Sequence, residues 1–207
     1  AGSDAQLAWA RAVAAAASRA AGRAGELRAI LAGDAAGPDG LPLDHELRWM
    51  WLTALSATGR LTTAEADAER DADPSSQGRT AHLTVLAARP DSAVRAAAWH
   101  AAWDDQSLTN ERLSATIAGA RAGDARRFLA EFDAEYFARI APTWASRSIE
   151  IARRLVVGLF PASDSLDLVD AWLAEHADAP GALRRLVIEQ RDGLARDLRV
   201  RAAQPRS

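Results

Sequence analysis

An apolar helical stripe in the segment 44–59 places a strong restriction on the fold. Its apolar residues occupy positions i, i+3, i+4, i+7 and i+8, which is one face of a helix with 3.6 residues per turn. They are Leu47, Met50, Trp51, Ala54 and Leu55. Gly59 follows where a C′ glycine commonly ends a helix. The segment is therefore predicted to be an amphipathic helix with a single apolar face.

The same prediction extends to the whole chain, because its apolar residues are mainly alanine and leucine. These residues favour helices, whereas aromatic residues make up only 6% of the chain and β-branched residues, which favour strands, are sparse. A chain of 207 residues, 49% of them hydrophobic, can bury about 70% of the surface of its unfolded form. An all-α globular protein is predicted.

About eleven helices are predicted from periodicity, caps and breakers. Thr62 to Glu65 read T-T-A-E, a capping-box pattern that opens a polar, outward-lying helix. The other predicted helices are 4–21, 25–32, 44–59, 78–88, 91–103, 109–122, 124–139, 142–160, 165–176 and 180–202. Loops rich in Gly, Pro, Asp and Ser separate them, among them 73–76 and 179–181.

Neighbouring helices pair into hairpins of roughly 30 residues, a spacing typical of HEAT- and armadillo-like α-solenoids. No residue consensus recurs from pair to pair, so a closed irregular bundle stays open as an alternative. The longest loop, 33–42, is short for a linker between domains. We therefore predict one domain over 1–207, a superhelix of antiparallel helix pairs.

Charge and cysteine content exclude several classes of function. The 25 basic residues are all arginine and are interspersed with 28 acidic ones, so no basic surface for nucleic acid or an anionic membrane is expected. The absence of cysteine excludes disulfides and thiolate zinc ligands and fits a reducing cytoplasm. No export signal or membrane span is recognisable, because the apolar run 7–17 is shorter than the ~20 residues required. A cytoplasmic location is expected.

The histidine spacing excludes a zincin-type site. Such a site needs two histidines one helical turn apart, with a glutamate beside the first. His45 is followed by Glu46, but Trp49 stands four residues on, and no other histidine has a partner at that spacing. No metal-ligating or catalytic residue is predicted, and His45 is interpreted as a surface or capping residue.

Tryptophans are interpreted mainly as packing residues. Trp49, Trp51 and Trp172 lie within apolar helical faces and are predicted to be core. Arg95, Trp99 and Trp103 fall on one line along a helix. Either the arginine stacks on an indole or the line is a half-buried edge, and the second interpretation is favoured.

The segment 142–160 is predicted to be a helix buried on two sides and closed by Pro161. One face carries Ile149, Ala152, Val156, Leu159 and Phe160, and Ile151 and Leu155 extend it. For Arg147 and Glu150 an internal ion pair or cap is favoured over a substrate contact. If the chain touches a peptide, we expect the contacts at Trp144, Arg147, Glu150 and Phe160.

Six segments in order carry a family resemblance. They are 7–11 (L-A-W-A-R), 44–49, 110–119 (N-E-R-L-S-A-T-I-A-G), 136–137 (Y-F), 144–161 and 183–192 (L-R-R-L-V-I-E-Q-R-D). Each motif alone is weak, but their common order and spacing span nearly the whole chain. Together they resemble the C-terminal helical (ERAP-like) domain of zinc aminopeptidases of the aminopeptidase N type from high-GC bacteria.

The resemblance implies a noncatalytic domain. In that family the zinc, its glutamate base and the G-x-M-E-N loop lie in a separate upstream domain, and the C-terminal superhelix caps the active site and encloses a peptide chamber. No position here matches those motifs, since the only methionine, Met50, precedes Trp51. The implied partners are the upstream catalytic domain of the same polypeptide, which holds the zinc, and peptide substrate. An independent α-solenoid scaffold stays open as an alternative, and an unrecognised helical hydrolase ranks last.

The family has further helices before the L-A-W-A-R segment, so the chain is expected to begin inside the domain. A solenoid cut between repeats exposes the face that its missing neighbour would cover. Leu7, Trp9 and Val13 are then expected to be bare or to pair with another copy, which predicts self-association.

Overall fold

The structure, a computed structural model, describes residues 4–18, 21–33 and 43–203. Every regular element in these ranges is helical, and the predicted all-α class is confirmed. The α-helices are α1 Asp4–Ala17, α2 Ala21–Ala32, α3 His45–Ala57, α4 Thr63–Ala72, α5 Ser76–Ala87, α6 Ser92–Asp104, α7 Asn110–Ala120, α8 Arg126–Leu129, α9 Asp133–Ser146, α10 Ile149–Gly158, α11 Asp167–Glu175 and α12 Gly181–Ala203. Beyond Gly33, the predicted loop 33–42 lies outside the described residues.

The helices divide into two compact units, Ala1–Phe128 and Leu129–Ser207. In the first unit, α1, α3, α5 and α7 pack side by side in chain order, and α2, α4 and α6 pack against α3, α5 and α7 respectively. This packing of successive helical pairs is that of an α-solenoid, as predicted. The expectation that residues 1–207 form one domain stays a prediction.

Helix α3 is buried on two faces. Leu47, Trp51 and Leu55 pack with alanines of α1 and with apolar side chains of α2. Trp49 and Leu52 belong to a second cluster, with side chains of α4 and α5 and with Leu31 of α2. The prediction of a single apolar face is therefore wrong, because helices cover α3 from both sides. The predicted core positions of Trp49 and Trp51 are confirmed, at 5% and 0% exposure.

Both ends of α3 are closed by local hydrogen bonds. The Asp44 side chain accepts a hydrogen bond from the backbone N–H of Leu47 at 2.8 Å. At the other end Gly59 has φ +69°, and the N–H of Arg60 donates to the carbonyl of Leu55 at 2.8 Å. This is a Schellman motif, in which glycine takes the left-handed conformation. The predicted C′ role of Gly59 is confirmed.

The predicted capping box of α4 is also confirmed. The N–H of Glu65 donates to the Thr62 hydroxyl at 3.2 Å, and the Glu65 carboxylate accepts from the N–H of Thr62 at 2.8 Å. Arg28 of α2 forms an ion pair with the same carboxylate. The N-terminus of α4 is thereby tied both to its own cap and to α2.

The Arg95, Trp99 and Trp103 line is buried, with exposures of 0%, 2% and 5%. The favoured interpretation as a half-buried edge is therefore wrong. The Arg95 guanidinium donates to backbone carbonyls at the end of α5 and at the end of α7, and it lies 5.3 Å from the centre of the Phe128 ring. The last carbonyls of a helix lack donors within the helix, so these helix ends can receive a buried arginine.

In the second unit, α10 packs on α9 and α12, and α11 packs on the same two helices. The largest buried side chains include Tyr136, Ile140, Leu155, Val156 and Leu183. Trp172 is buried as predicted, at 3% exposure. Leu183, Leu186, Val187 and Leu194 of α12 also face this core.

Three predicted boundaries in the second half of the chain are corrected. The predicted helix 124–139 is divided into α8, a 3-10 turn at Ala130–Phe132 and the start of α9. Helix α9 then continues through Pro142 to Ser146, so the predicted start of a new helix at Pro142 is wrong. A proline costs a helix one hydrogen bond and a local clash, and here packing of α9 against α10 and α11 outweighs that cost. The next helix begins after Ser148, whose hydroxyl accepts from the N–H of Ile151.

Candidate functional site

The four predicted peptide-contact residues lie near α10. Trp144 is half-buried in the last turn of α9, and Arg147 follows that helix as its C-cap, its N–H donating to the Thr143 carbonyl at 2.9 Å. Glu150 is exposed in the first turn of α10, and Phe160 comes two residues after its end. The residues are thus grouped at the two ends of one short helix.

Phe160 is part of an aromatic cluster in the core. Its ring centre lies 5.7 Å from that of Tyr136 and 6.0 Å from that of Phe137, both in edge-to-face orientation. Such geometry is favourable because a ring edge meets the negative face of its neighbour. Phe160 is 5% exposed, so a peptide contact by this ring stays a prediction that requires a change in packing.

Glu150 takes part in an ion pair within α10. Its carboxylate lies 2.7 Å from Nη2 of Arg154, one helical turn further on. The internal ion pair or cap predicted for Arg147 and Glu150 takes a different form, because Glu150 pairs with Arg154 and Arg147 is the C-cap residue of α9. Both side chains are partly solvated, so the pair contributes no more than about 0.5 kcal/mol. Ile149, predicted to start the buried face, is instead 61% exposed, because it occupies the first position of the helix, beside the Ser148 cap.

The first unit contains a groove between α3 and α5, with a volume of about 210 Å³. It is lined by His45, Glu46, Trp49, Met50, Thr53, Asp73, Gln77, Ala81 and Thr84. Asp73 is 6% exposed and follows the end of α4. Its Oδ2 accepts from Nε1 of Trp49 at 2.8 Å and its Oδ1 from the N–H of Ser75 at 3.3 Å. Hydrogen bonding from Ser75 and Trp49 lowers the pKa of Asp73.

The sequence did not single out this groove. The sequence predicts a loop at Asp73 and a core position for Trp49, and the two residues stand 24 positions apart. The available local signal was the D-P-S-S order after a polar helix, which is typical of a turn in which the aspartate binds a backbone N–H two residues on. That signal locates the carboxylate in a turn but does not reveal the tryptophan.

No group of three His, Cys, Asp or Glu side chains in the described ranges is placed to hold one metal ion. None of the chain's described residues is therefore assigned to zinc. His45 is the first residue of α3, with a side chain 64% exposed, which agrees with its interpretation as a surface residue. None of the described helices is both long enough and apolar enough to cross a bilayer.

Comparison with known proteins extends these observations. A family model described as the ERAP1-like C-terminal domain matches residues 1–196. The chain belongs to this family. The chain is also 44% identical, over 207 residues, to Aminopeptidase N of Streptomyces lividans. That alignment covers 98% of this chain and 24% of the relative, so the ERAP1-like C-terminal domain spans about a quarter of the length of the relative that it matches.

The predicted family is thereby confirmed. The chain is a C-terminal domain of an aminopeptidase N-like protein. The matched range includes α1 to α11 and most of α12, so both compact units belong to the family's domain. The ERAP1-like C-terminal domain described here is therefore a part of a larger aminopeptidase N-like protein.

Proposed function

We propose that this chain is a noncatalytic domain of a zinc-dependent aminopeptidase, in which it caps the active site and walls the substrate chamber. The parent enzyme would remove N-terminal amino acids from peptides, with its zinc in the upstream catalytic domain. The observation that carries this proposal is the 44% identity to Aminopeptidase N over 24% of that protein.

The packing of the first unit supports a wall function. Each of α3 and α5 is held by neighbours on both sides along the row of helices. Buried arginine and capping interactions fix helix ends as well as helix faces. A wall that limits access to a chamber has to keep its shape, and a row of helices fixed in this way resists local opening.

Peptide contacts at the ends of α10 form part of the same proposal. Trp144 and Arg147 are half-buried and Glu150 is exposed, so a peptide could reach all three without unfolding the helix. Phe160 would act from beneath, by holding the segment after α10 in position.

Self-association is a further expected property of the chain. Trp9 on α1 is 42% exposed, whereas Leu7 and Val13 are half-buried. We expect sedimentation equilibrium to give a particle mass that rises with concentration, and a Trp9→Gln variant to lower it. A constant monomer mass for the unchanged chain would contradict this expectation.

The test uses the Streptomyces lividans Aminopeptidase N as host. The matching quarter of that protein is deleted in one variant and replaced by this chain in another, and kcat/KM is measured for an aminoacyl reporter and for a series of longer peptides. We expect deletion to change the ratio between long and short substrates by about tenfold, equivalent to about 1.4 kcal/mol in transition-state free energy. The chimera is expected to restore the ratio.

Two results would contradict the proposal. One is a deletion variant that folds, as judged by circular dichroism, and keeps the unchanged ratio. The other is chelator-sensitive cleavage of the reporter by the 207-residue chain alone, which would place chemistry in this domain. A chimera carrying Arg147→Gln and Glu150→Gln tests whether these two residues contact the peptide directly. Only direct contact predicts a changed KM with long peptides, whereas a domain that only walls the chamber predicts an unchanged KM.

A further inference from the structure

The groove between α3 and α5 has the form of a small binding site. Its polar lining includes the Asp73 and Glu46 carboxylates, and its apolar lining includes Trp49, Met50 and Ala81. Ligand sites commonly combine an apolar wall with a few convergent polar groups. The volume, about 210 Å³, is below the roughly 300–1,000 Å³ of sites for drug-sized molecules. The occupant is therefore about the size of one amino-acid side chain.

The Asp73 carboxylate in the groove lining carries a negative charge that hydrogen bonds within the protein satisfy only in part. Each carboxylate oxygen has two lone-pair positions. Oδ2 of Asp73 accepts from Trp49 and Oδ1 accepts from Ser75. The Ser75 hydroxyl is a third donor to this carboxylate, so at least one of its roughly four lone-pair positions remains for a further donor. Hydrogen bonds from the Ser75 side chain, the Trp49 indole and the Ser75 N–H hold the pKa of Asp73 below its usual value, so the group stays ionised at neutral pH.

The described lining contains two carboxylates, Asp73 and Glu46, and no arginine. His45 is the one lining residue that can become positive, and its Nδ1 lies 3.9 Å from Oδ2 of Asp73, beyond hydrogen-bond distance. Arg48, on the same helix, is instead held by both carboxylate oxygens of Glu69, at 2.7 and 2.6 Å. The groove therefore keeps a net negative charge.

The position of the Asp73 carboxylate is fixed before any ligand arrives. Gly78, in the first turn of α5, lies so close to Asp73 that an added Cβ would meet the Asp73 carbonyl at 2.3 Å and Oδ2 at 2.5 Å. Trp49 is 5% exposed and is oriented by its bond to Oδ2. A carboxylate that is already positioned loses little conformational freedom on binding.

We propose that the α3–α5 groove is a binding site for one basic side chain of a peptide, with the ammonium or guanidinium group on Asp73 and Glu46 and the methylenes against Trp49 and Met50. Lysine and arginine have the required form, because an apolar stem carries a charged head. Guanidinium can also donate two hydrogen bonds to one carboxylate. The site concerns this chain alone and stands whether or not the domain walls a peptidase chamber.

The test is an NMR titration of the 207-residue chain, following the indole Nε1–H signal of Trp49, which is assigned by its loss in Trp49→Phe. The probes are N-acetyl-arginine amide and N-acetyl-lysine amide, with N-acetyl-glutamine amide as the neutral control. We expect saturable shifts with both basic probes and dissociation constants on the order of 1 mM, as for a single small contact. Raising the salt concentration should weaken binding.

Two variants and a matched control locate the interaction. Asp73→Asn removes the charge but keeps an oxygen that can accept from Trp49, and affinity should fall about tenfold or more. Glu46→Gln changes an exposed residue and should weaken binding by about threefold, which gives a second measurement should Asp73→Asn fail to fold. Asp105→Asn is the control, because Asp105 accepts from Ser107 in the same kind of turn but lies outside the groove lining. It should bind as the unchanged chain does.

Three results would overturn the proposal. The neutral probe could shift the Trp49 signal as much as the basic probes do. Asp73→Asn and Glu46→Gln could both bind with unchanged affinity. The basic probes could leave the Trp49 signal unmoved at concentrations well above 1 mM, about the affinity expected for one such contact. None of these results bears on the aminopeptidase assay, so the two proposals fail independently.

Discussion

The guanidinium of Arg95 donates to the carbonyl oxygen of Ala120 at 2.6 Å, and this contact fastens α6 to the end of α7. The same side chain donates to the Ala88 carbonyl at the end of α5 and to the Arg89 carbonyl. A helix C-terminus carries partial negative charge, so two of them can stabilise a buried cation without a carboxylate. Burial lowers the pKa of Arg95 to about 10, and the group stays charged at neutral pH.

Arg95→Met is expected to lower the free energy of unfolding by about 3–5 kcal/mol, because it leaves several buried carbonyls without a donor. Arg95→Lys should restore only part of the loss, since lysine has three donors where arginine has five. Urea unfolding measures both. Arg112→Met, at an exposed position of α7, is the control and should stay within about 0.5 kcal/mol of the unchanged chain. Equal losses for Arg95→Met and Arg112→Met would contradict the assigned role.

Gly119→Ala and Gly193→Ala should shift stability in opposite directions. At Gly119 in α7 an added Cβ would meet the Ala87 Cβ and the Thr84 carbonyl oxygen, each at 2.5 Å. We expect a loss of about 1–3 kcal/mol, because α5 and α7 would have to separate. At Gly193 in α12 the nearest atom is the end of the Arg196 side chain at 3.9 Å. Alanine should stabilise that helix by about 0.5–1 kcal/mol. Thermal unfolding of the two variants measures both changes in stability. Changes in the same direction would contradict the prediction.

Tyr136→Phe should cost about 1 kcal/mol of stability. Its hydroxyl donates to the Val156 carbonyl at 2.6 Å. This carbonyl is one of the last four of α10, which lack an N–H donor within that helix. Removing the hydroxyl leaves this buried carbonyl without that donor. Ser146→Ala is the control, because it removes an exposed hydroxyl that donates to the Pro142 carbonyl at 2.8 Å. Urea midpoints should separate the two variants, and an unchanged midpoint for Tyr136→Phe would count against the assignment.

The capping box of α4 should be visible in an acid titration. Hydrogen bonds from the Thr62 N–H and hydroxyl, and the nearby Arg28, lower the pKa of Glu65 from its usual 4.5. The folded state therefore holds its proton less tightly than the unfolded state does. The stability from Glu65 is complete above the unfolded pKa and is lost as the pH falls through the folded value.

Thr62→Ala should raise the pKa of Glu65 toward 4.5 and cost about 1 kcal/mol at neutral pH. NMR titration of the carboxyl carbon measures the pKa. Thr109→Ala is the matched control, because Thr109 caps α7 by accepting from the N–H of Arg112 and is not among the groups that shift the pKa of Glu65. It should cost a similar free energy and leave the Glu65 pKa in place. A Glu65 pKa that does not move in Thr62→Ala would show that the hydroxyl is not a cause.

Local features were predictable from the sequence because neighbouring residues decide them. The Schellman glycine at Gly59 and the capping box at Thr62 depend on a few adjacent backbone groups, and both occur as predicted. The all-α class follows from composition and periodicity. The helix through Pro142 was missed because tertiary packing overrides the local preference of proline, which no single-sequence pattern encodes.

Features that join distant segments were not predictable. Leu52 is buried against α4 and α5, and the polarity of α4 gave no sign that it would cover anything. The buried position of Arg95 depends on carbonyls 24 to 27 residues further on. The groove required Trp49 and Asp73 to meet across the end of α4. In each case the partner is supplied by the order in which helices stack, which the sequence of one helix does not contain.

Helix α3 belongs to two hydrophobic clusters, one around Trp51 and one around Trp49, and this arrangement affects the order in which the first unit opens. If α1 and α2 detach together, α3 loses the neighbours of Trp51, whereas the cluster around Trp49 loses Leu31 of α2 and keeps its α4 and α5 members. Amide hydrogens of α1 can then exchange with solvent through a partial opening, while those of α3 and α5 stay protected until a larger one. The first unit would unfold in steps from its amino-terminal side, and the α3–α5 groove would still be formed after the first step.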